Sequence, residues 1–192
     1  MTEAEIVIAL RAAGCVFAEI EAALLVGAAD SAGELDLLVE RRIAGEPLEV
    51  LLGWTEFAGI RVIVEPGVFV PRQRTALLVD RAAAAAKPGH VVVDLCCGSG
   101  AVAVHIQAHR PGALVVATDI DRRAAVCAGR NGVRAAVADA GRGLRTGWFD
   151  LVTAVAPYVP TGDIRFLPAD VVRYEPRRAL DVSRAREEFG FE

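Results

Sequence analysis

The sequence predicts an α/β fold in which a doubly wound parallel sheet follows a small N-terminal helical unit. Three observations lead there. Beyond Lys87-Pro88-Gly89 the chain alternates apolar strand-like runs with helical ones, the first such pair is joined by Gly98-x-Gly100, and ahead of residue 53 the apolar spacing is helical. Strands alternating with helices imply right-handed crossovers and therefore a parallel sheet. With 192 residues, 54% of them hydrophobic, and a mean hydropathy of +0.39, the chain can bury a sizeable core.

The first helix is announced by the capping box Thr2-x-x-Glu5, continues through Ile6, Val7 and Leu10, and stops at Gly14. Phe17, Ile20 and Leu24 mark the apolar face of a second, ending near Gly27. Leu35, Leu38 and Arg42 mark a third that closes at Gly45. These make a three-helix bundle over residues 1–52. Residues 53–80 read as a hairpin linker: Ile60, Val62 and Val64 alternate with Arg61 and Ile63, Ala58-Gly59 supplies the turn, and Pro66-Gly67 ends the strand. "QRTALLVDRAAAAA" is a helix leading into residues 81–181. There "HVVVDLCC", "ALVVATD", "RAAVADA" and "FDLVTAVA" are four strands, about half of a full doubly wound sheet. The last strand then has an unpaired apolar edge over residues 151–156, which invites self-association. Residues 182–192 form a charged tail.

A net charge of −4 and a pI near 5.5 argue against non-specific nucleic-acid binding. Cys15, Cys96, Cys97 and Cys127 lack C-x-x-C spacing and are expected to be reduced thiols. The N-terminus is acidic where an export signal is basic, and the longest early uncharged stretch, Ala22 to Ala29, is too short to span a bilayer. The expectation is a cytoplasmic protein with no membrane partner. His105 and His109 stand at i, i+4 without a third metal ligand, so they are expected on a solvated helix face. Trp148-Phe149 is expected in the core at the entry to the fourth strand. The basic end of the chain, Arg173, Arg177, Arg178, Arg184 and Arg186, is interleaved with acids and reads as a solvated helix.

Gly98-x-Gly100-x-x-Ala103, with Asp119 about twenty residues on, fits a dinucleotide-type loop. Asp94 decides between ligands. At the end of the first strand its carboxylate repels a pyrophosphate and attracts a ligand carrying cations, such as S-adenosylmethionine with its ammonium and sulfonium. Glycines let the backbone approach the ligand. Asp119 is expected at the ribose hydroxyls and Asp139, ending the third strand, at the adenine.

Several motifs in order resemble the protein-(glutamine-N5) methyltransferases, the release-factor glutamine methyltransferases. "RRIAGEPLEVLLGWTEFAGIRVIVEPGVFVPRQRT" is similar to that family's linker, "VVDLCCGSGAVAV" to its donor loop, "FDLVTAVAPYVP" to its Asn-Pro-Pro-Tyr strand end and "YEPRRALD" to the segment beyond. The resemblance covers residues 36–181. It implies a Rossmann-like class I methyltransferase sheet, a helical N-terminal unit for substrate recognition, a C-terminally truncated chain, S-adenosylmethionine as cofactor, and a protein partner carrying a glutamine, either a release factor or a ribosomal protein. It also implies donor contacts from Asp94, Cys97, Gly98, Gly100, Asp119, Ile120 and Asp139. The acceptor amide would lie against the Ala156 carbonyl, Pro157 and Tyr158. Two positions depart from the family pattern: Ala76 where it has Glu, and Val155 where it has Asn. A missing buried hydrogen bond costs about 1–3 kcal/mol, roughly tenfold to more than a hundredfold in rate. Two further readings follow: a non-catalytic remnant acting as a binding module, and an N6-adenine nucleic-acid methyltransferase, against which the acidic charge counts.

Overall fold

The structure, a computed structural model, describes residues 1–183. At its start the Thr2 hydroxyl accepts from the Glu5 N–H while the Glu5 carboxylate accepts from the Thr2 N–H, closing the capping box of α1 (Glu3–Ala12). With α2 (Ala18–Ala28), α3 (Ala32–Ile43) and a short α4 (Leu48–Leu52) it surrounds a core of Ile6, Leu10, Leu25, Leu38 and Val39. The sequence reading had three helices and did not separate α4. It also assigned α2 the wrong face. Ala18, Ala22 and Leu25 point inward, whereas Phe17 and Ile20 are 65% and 61% exposed. Alanines are weak markers of a buried face, and close helix packing selects them over larger residues.

The hairpin β1 (Trp54–Phe57) and β2 (Ile60–Ile63) turns through Ala58 and Gly59, both left-handed at φ 47° and 77°, as a two-residue turn matched to strand twist requires. A 3-10 turn over Gln73–Thr75 leads into α5 (Ala76–Ala85). Then come β3 (Val91–Leu95), α6 (Ala101–His109), β4 (Leu114–Asp119), α7 (Arg122–Arg130), β5 (Arg134–Val137) and β6 (Leu151–Ala154). All pairings are parallel, in the order β5-β4-β3-β6, so the α/β expectation and its four strands hold. β3 is central and its strand ends carry the candidate site. Val92, Ile106, Val115 and Ala117 form the middle of the main core, into which Phe57 and Val62 of the hairpin insert. β6 is an edge strand among the described residues, and Val152 on it is exposed.

After β6 the chain runs through a 3-10 segment (Thr161–Phe166), α8 (Ala169–Tyr174) and α9 (Arg177–Leu180). It returns to the strand end: the Val159 N–H donates to Leu180 O and the Val182 N–H to Val159 O, both at 2.9 Å. Of the expected tail, residues 184–192, including Arg184 and Arg186, lie outside the described residues.

Two side-chain expectations are corrected. Trp148 is not core; it is 58% exposed, with the Arg145 guanidinium over its ring. His105 is not solvated. It is 3% exposed, stacked on His109 at a 4.0 Å centroid separation, with Nε2 3.6 Å from the Asp80 carboxylate of α5. Helix α6 is apolar almost all round and packs between the sheet and α5, so its histidine is enclosed. No helix among the described residues is long and apolar enough to cross a membrane.

Candidate active site

The carboxyl ends of β3, β4 and β6 open into one cleft, which brings together Asp94, Cys97, Gly98, Asp119, Ile120, Val155, Ala156, Pro157 and Tyr158. Parallel strands place their carboxyl ends on one edge of the sheet, and the loops that follow line the crevice there. Asp94 sits inside β3, where its register partner on β6 is Thr153. The Thr153 hydroxyl donates to Asp94 Oδ1 at 2.8 Å, while Oδ2 has no hydrogen-bond partner among the described residues. Burial pushes the Asp94 carboxyl up to about 7, against the pull of the Thr153 hydrogen bond. A buried carboxylate with one oxygen unsatisfied is costly, and a cationic ligand in the cleft would relieve it.

The glycine loop is held by backbone and by Asp119. The Cys97 N–H donates to Thr118 O at 3.0 Å, the Gly98 N–H to Asp119 Oδ2 at 2.9 Å, and the Asp121 N–H to Asp119 Oδ1 at 2.8 Å. Asp119 therefore fixes the loop as well as facing the cleft, and each oxygen keeps a lone pair for an incoming hydroxyl. Burial raises its pKa against those two N–H donors. Cys96 adopts φ 54°, a left-handed conformation that costs an L-residue roughly 1–2 kcal/mol. Cys97 is buried, and desolvation drives its thiol pKa well above the usual range, so it lines the cleft as a neutral wall.

Two expected donor residues stand elsewhere. Gly100, at φ 80°, does not line the cleft; a Cβ there would lie 2.9 Å from the Ala128 Cβ, so this glycine lets α6 start against α7. Asp139 lies two residues beyond β5, outside the cleft lining, with Oδ2 3.5 Å from Arg142 and Oδ1 buried without a hydrogen-bond partner among the described residues.

On the acceptor side Val155 packs against the main core, and Tyr158 is half exposed under the Arg74 guanidinium, 5.0 Å from its ring centroid. Arg72 stacks on Phe69, another cleft residue, and pairs with Glu175. Arg178 reaches the cleft as well, 3.9 Å from Asp121, and is not simply part of a solvated basic helix. Sequence reasoning missed Thr153, Asn131, Arg72 and Arg178. For Thr153 a signal existed, a lone polar residue in an apolar strand run. Asn131 accepts from the Ile63 N–H at 2.8 Å and donates to Ile63 O and Ser99 O, both at 2.9 Å, tying hairpin to glycine loop; nothing in the sequence marked it.

Residues 59–157, more than half of the chain, match the methyltransferase small domain family. The chain belongs to that family. Its class I methyltransferase fold follows from the parallel sheet and this match together. Among curated relatives, a release factor glutamine methyltransferase of Geobacter sulfurreducens is 37% identical over 75% of this chain and 53% of its own length. One of Bradyrhizobium diazoefficiens is 30% identical over 90% of this chain and 68% of its own. A 4-amino-L-phenylalanine/4-methylamino-L-phenylalanine methyltransferase of Streptomyces pristinaespiralis is 36% identical over 74% of this chain and 53% of its own. The chain spans a little over half the length of most of these methyltransferases.

Proposed function

We propose that this methyltransferase chain binds S-adenosylmethionine and methylates the side-chain amide nitrogen of a glutamine in a release-factor-like protein, and so acts in translation termination. The observation that carries the reading is the single cleft joining the Asp94–Gly98–Asp119 edge to the Ala156-Pro157-Tyr158 turn. The donor-side residues fit the cofactor: the unsatisfied Asp94 Oδ2 matches its ammonium, and the spare lone pairs of Asp119 match ribose hydroxyls. When bound, S-adenosylmethionine supplies an electrophilic methyl group on a sulfonium.

The chain's own part is orientation. An amide nitrogen is a poor nucleophile because its lone pair is delocalised into the carbonyl. The Ala156 carbonyl can accept an N–H of that amide, and Pro157 and Tyr158 can wall it in, narrowing the range of poses from which reaction occurs. Val155 offers neither donor nor acceptor, so the second N–H of the amide loses its side-chain partner. The test is methyl transfer to a purified glutamine-bearing release factor. Slow transfer that rises tenfold or more, roughly, in Val155→Asn supports the reading; no transfer by either protein with the donor bound supports a binding module instead.

Val155 and the Streptomyces pristinaespiralis relative together favour one second reading, methylation of an arylamine. An arylamine lone pair is more available than an amide's and has less need of a side-chain grip. Turnover of 4-amino-L-phenylalanine in the same assay, unchanged or reduced by Val155→Asn, would promote it.

A further inference from the structure

A second groove lies between the helical unit, the linker around Val70 and Arg72, and the returning segment that carries Asp170 and Glu175. Its apolar rim includes Phe17, the residue capping α2, and Ile20 on α2, both exposed and outside the helical core. Four carboxylates, Glu21, Glu49, Asp170 and Glu175, face two guanidiniums, Arg42 and Arg72. Each guanidinium already has a partner: Arg42 Nε lies 2.6 Å from Glu21, and Arg72 pairs with Glu175. Asp170 and Glu49 are left as surplus negative charge. Both stand close enough to Glu175 to add to the burial that raises its carboxyl to about 7.

Glu175 makes this more than an acidic surface. Its side chain is 3% exposed, and while one oxygen meets Arg72, Oε2 is buried with no hydrogen-bond partner among the described residues. A buried acceptor left open beside surplus negative charge and an aromatic rim is complementary to a long cationic side chain, which can lay its methylenes on Phe17 and its head against the carboxylates. Arg72 lines both this groove and the donor cleft, so the two are neighbours that meet at this side chain. A chain with its target residue over Ala156 and Tyr158 would place a flanking residue in the groove by running past Arg72.

We propose that this groove is a subsite for a basic side chain, arginine or lysine, flanking the target residue of a protein acceptor. The inference rests on the protein-acceptor reading of the cleft and assigns that acceptor a charge requirement.

The test uses the full chain and fluorescein-labelled decapeptides with glutamine fixed in the middle and arginine moved through the other positions. Each is paired with a norleucine peptide of the same length, and binding is read by anisotropy with S-adenosylmethionine at saturation. The arginine peptides at one or two spacings are expected to bind about tenfold tighter than their norleucine partners, the scale of one partly desolvated charge pair. Salt should erode the difference. Asp170→Asn and Glu49→Gln, at half-buried positions that make no ion pair within 4 Å among the described residues, should shrink it while leaving donor affinity unchanged. Glu175→Gln should abolish it, and the two milder variants decide the matter if Glu175→Gln fails to fold. Equal binding of arginine and norleucine peptides at every spacing, or a preference untouched by both milder variants, overturns the subsite. No binding of S-adenosylmethionine to the parent chain, measured separately by calorimetry, would instead sink the donor reading of the cleft on which the acceptor reading depends.

Discussion

Asp94 carries the electrostatics of the cleft, and its raised carboxyl gives two pH predictions. Its native pKa of about 7 lies above the ordinary aspartate value, and Glu175 is shifted in the same direction, also to about 7. Between about pH 4 and 7 the native state then holds more protons than the unfolded chain, so stability falls as pH rises through that window. Without ligand, Tm should fall more, or rise less, from pH 5.5 to pH 8 in the parent than in Asp94→Asn, a comparison from which the opposite contribution of His105, its pKa lowered by burial, drops out; no difference between the two would contradict the assignment. A cationic donor prefers the ionised carboxylate, so its affinity should move the other way, strengthening by up to about tenfold per pH unit below 7 and levelling above. Asp94→Asn separates the two effects. It keeps the volume and an acceptor for Thr153 but removes the charge, so stability at pH 8 should hold or improve while donor affinity drops by about 1–3 kcal/mol. At this scale the sequence was legible where a residue type was unusual for its setting: an aspartate in an apolar strand, glycines ahead of a helix, valine in place of asparagine. His105 and Trp148 were misread because burial depends on what packs over a side chain, and that is set by elements distant in the chain.

Between residue and molecule, the glycine loop depends on two packing devices. Gly100 lets α6 begin against Ala128 and Val133 of the neighbouring unit, so Gly100→Ala meets both a close contact and a left-handed backbone. About 1–3 kcal/mol of lost stability is expected in denaturant titrations, together with weakened donor binding as the loop shifts. A variant as stable as the parent would refute the packing role. Asn131→Ala strips the hairpin and the loop of shared hydrogen bonds and should cost a similar amount, with hydrogen exchange rising at Ile63 before the central strands. Strand and turn signals were readable here because alternation and Gly-containing turns are local. The face of α2 was not. Phe17 at its start and Ile20 are strong apolar signals, yet they line a groove, and Ala18 and Ala22 enter the core beside Leu25.

At the scale of the molecule, the sheet order leaves β6 at an edge among the described residues, with Val152 exposed. Unpaired strand edges pair with other chains. Concentration-dependent association in sedimentation, relieved by Val152→Lys, is the expected behaviour; a monomer at all concentrations would mean the edge is covered. The parallel direction of the strands was readable from the alternation of strands with helices, whereas their order was not. The tie between the linker and the returning segment through Arg72 and Glu175 was not readable either, because such a pair joins positions more than a hundred residues apart. Whether these parts make a donor site is tested most directly by titrating S-adenosylmethionine into the folded full chain by calorimetry, in buffers of different ionisation heat near pH 6.5. One-to-one binding with proton release, both diminished in Asp94→Asn, is the expected result. No heat from a chain that melts cooperatively, or binding indifferent to Asp94, would contradict the account.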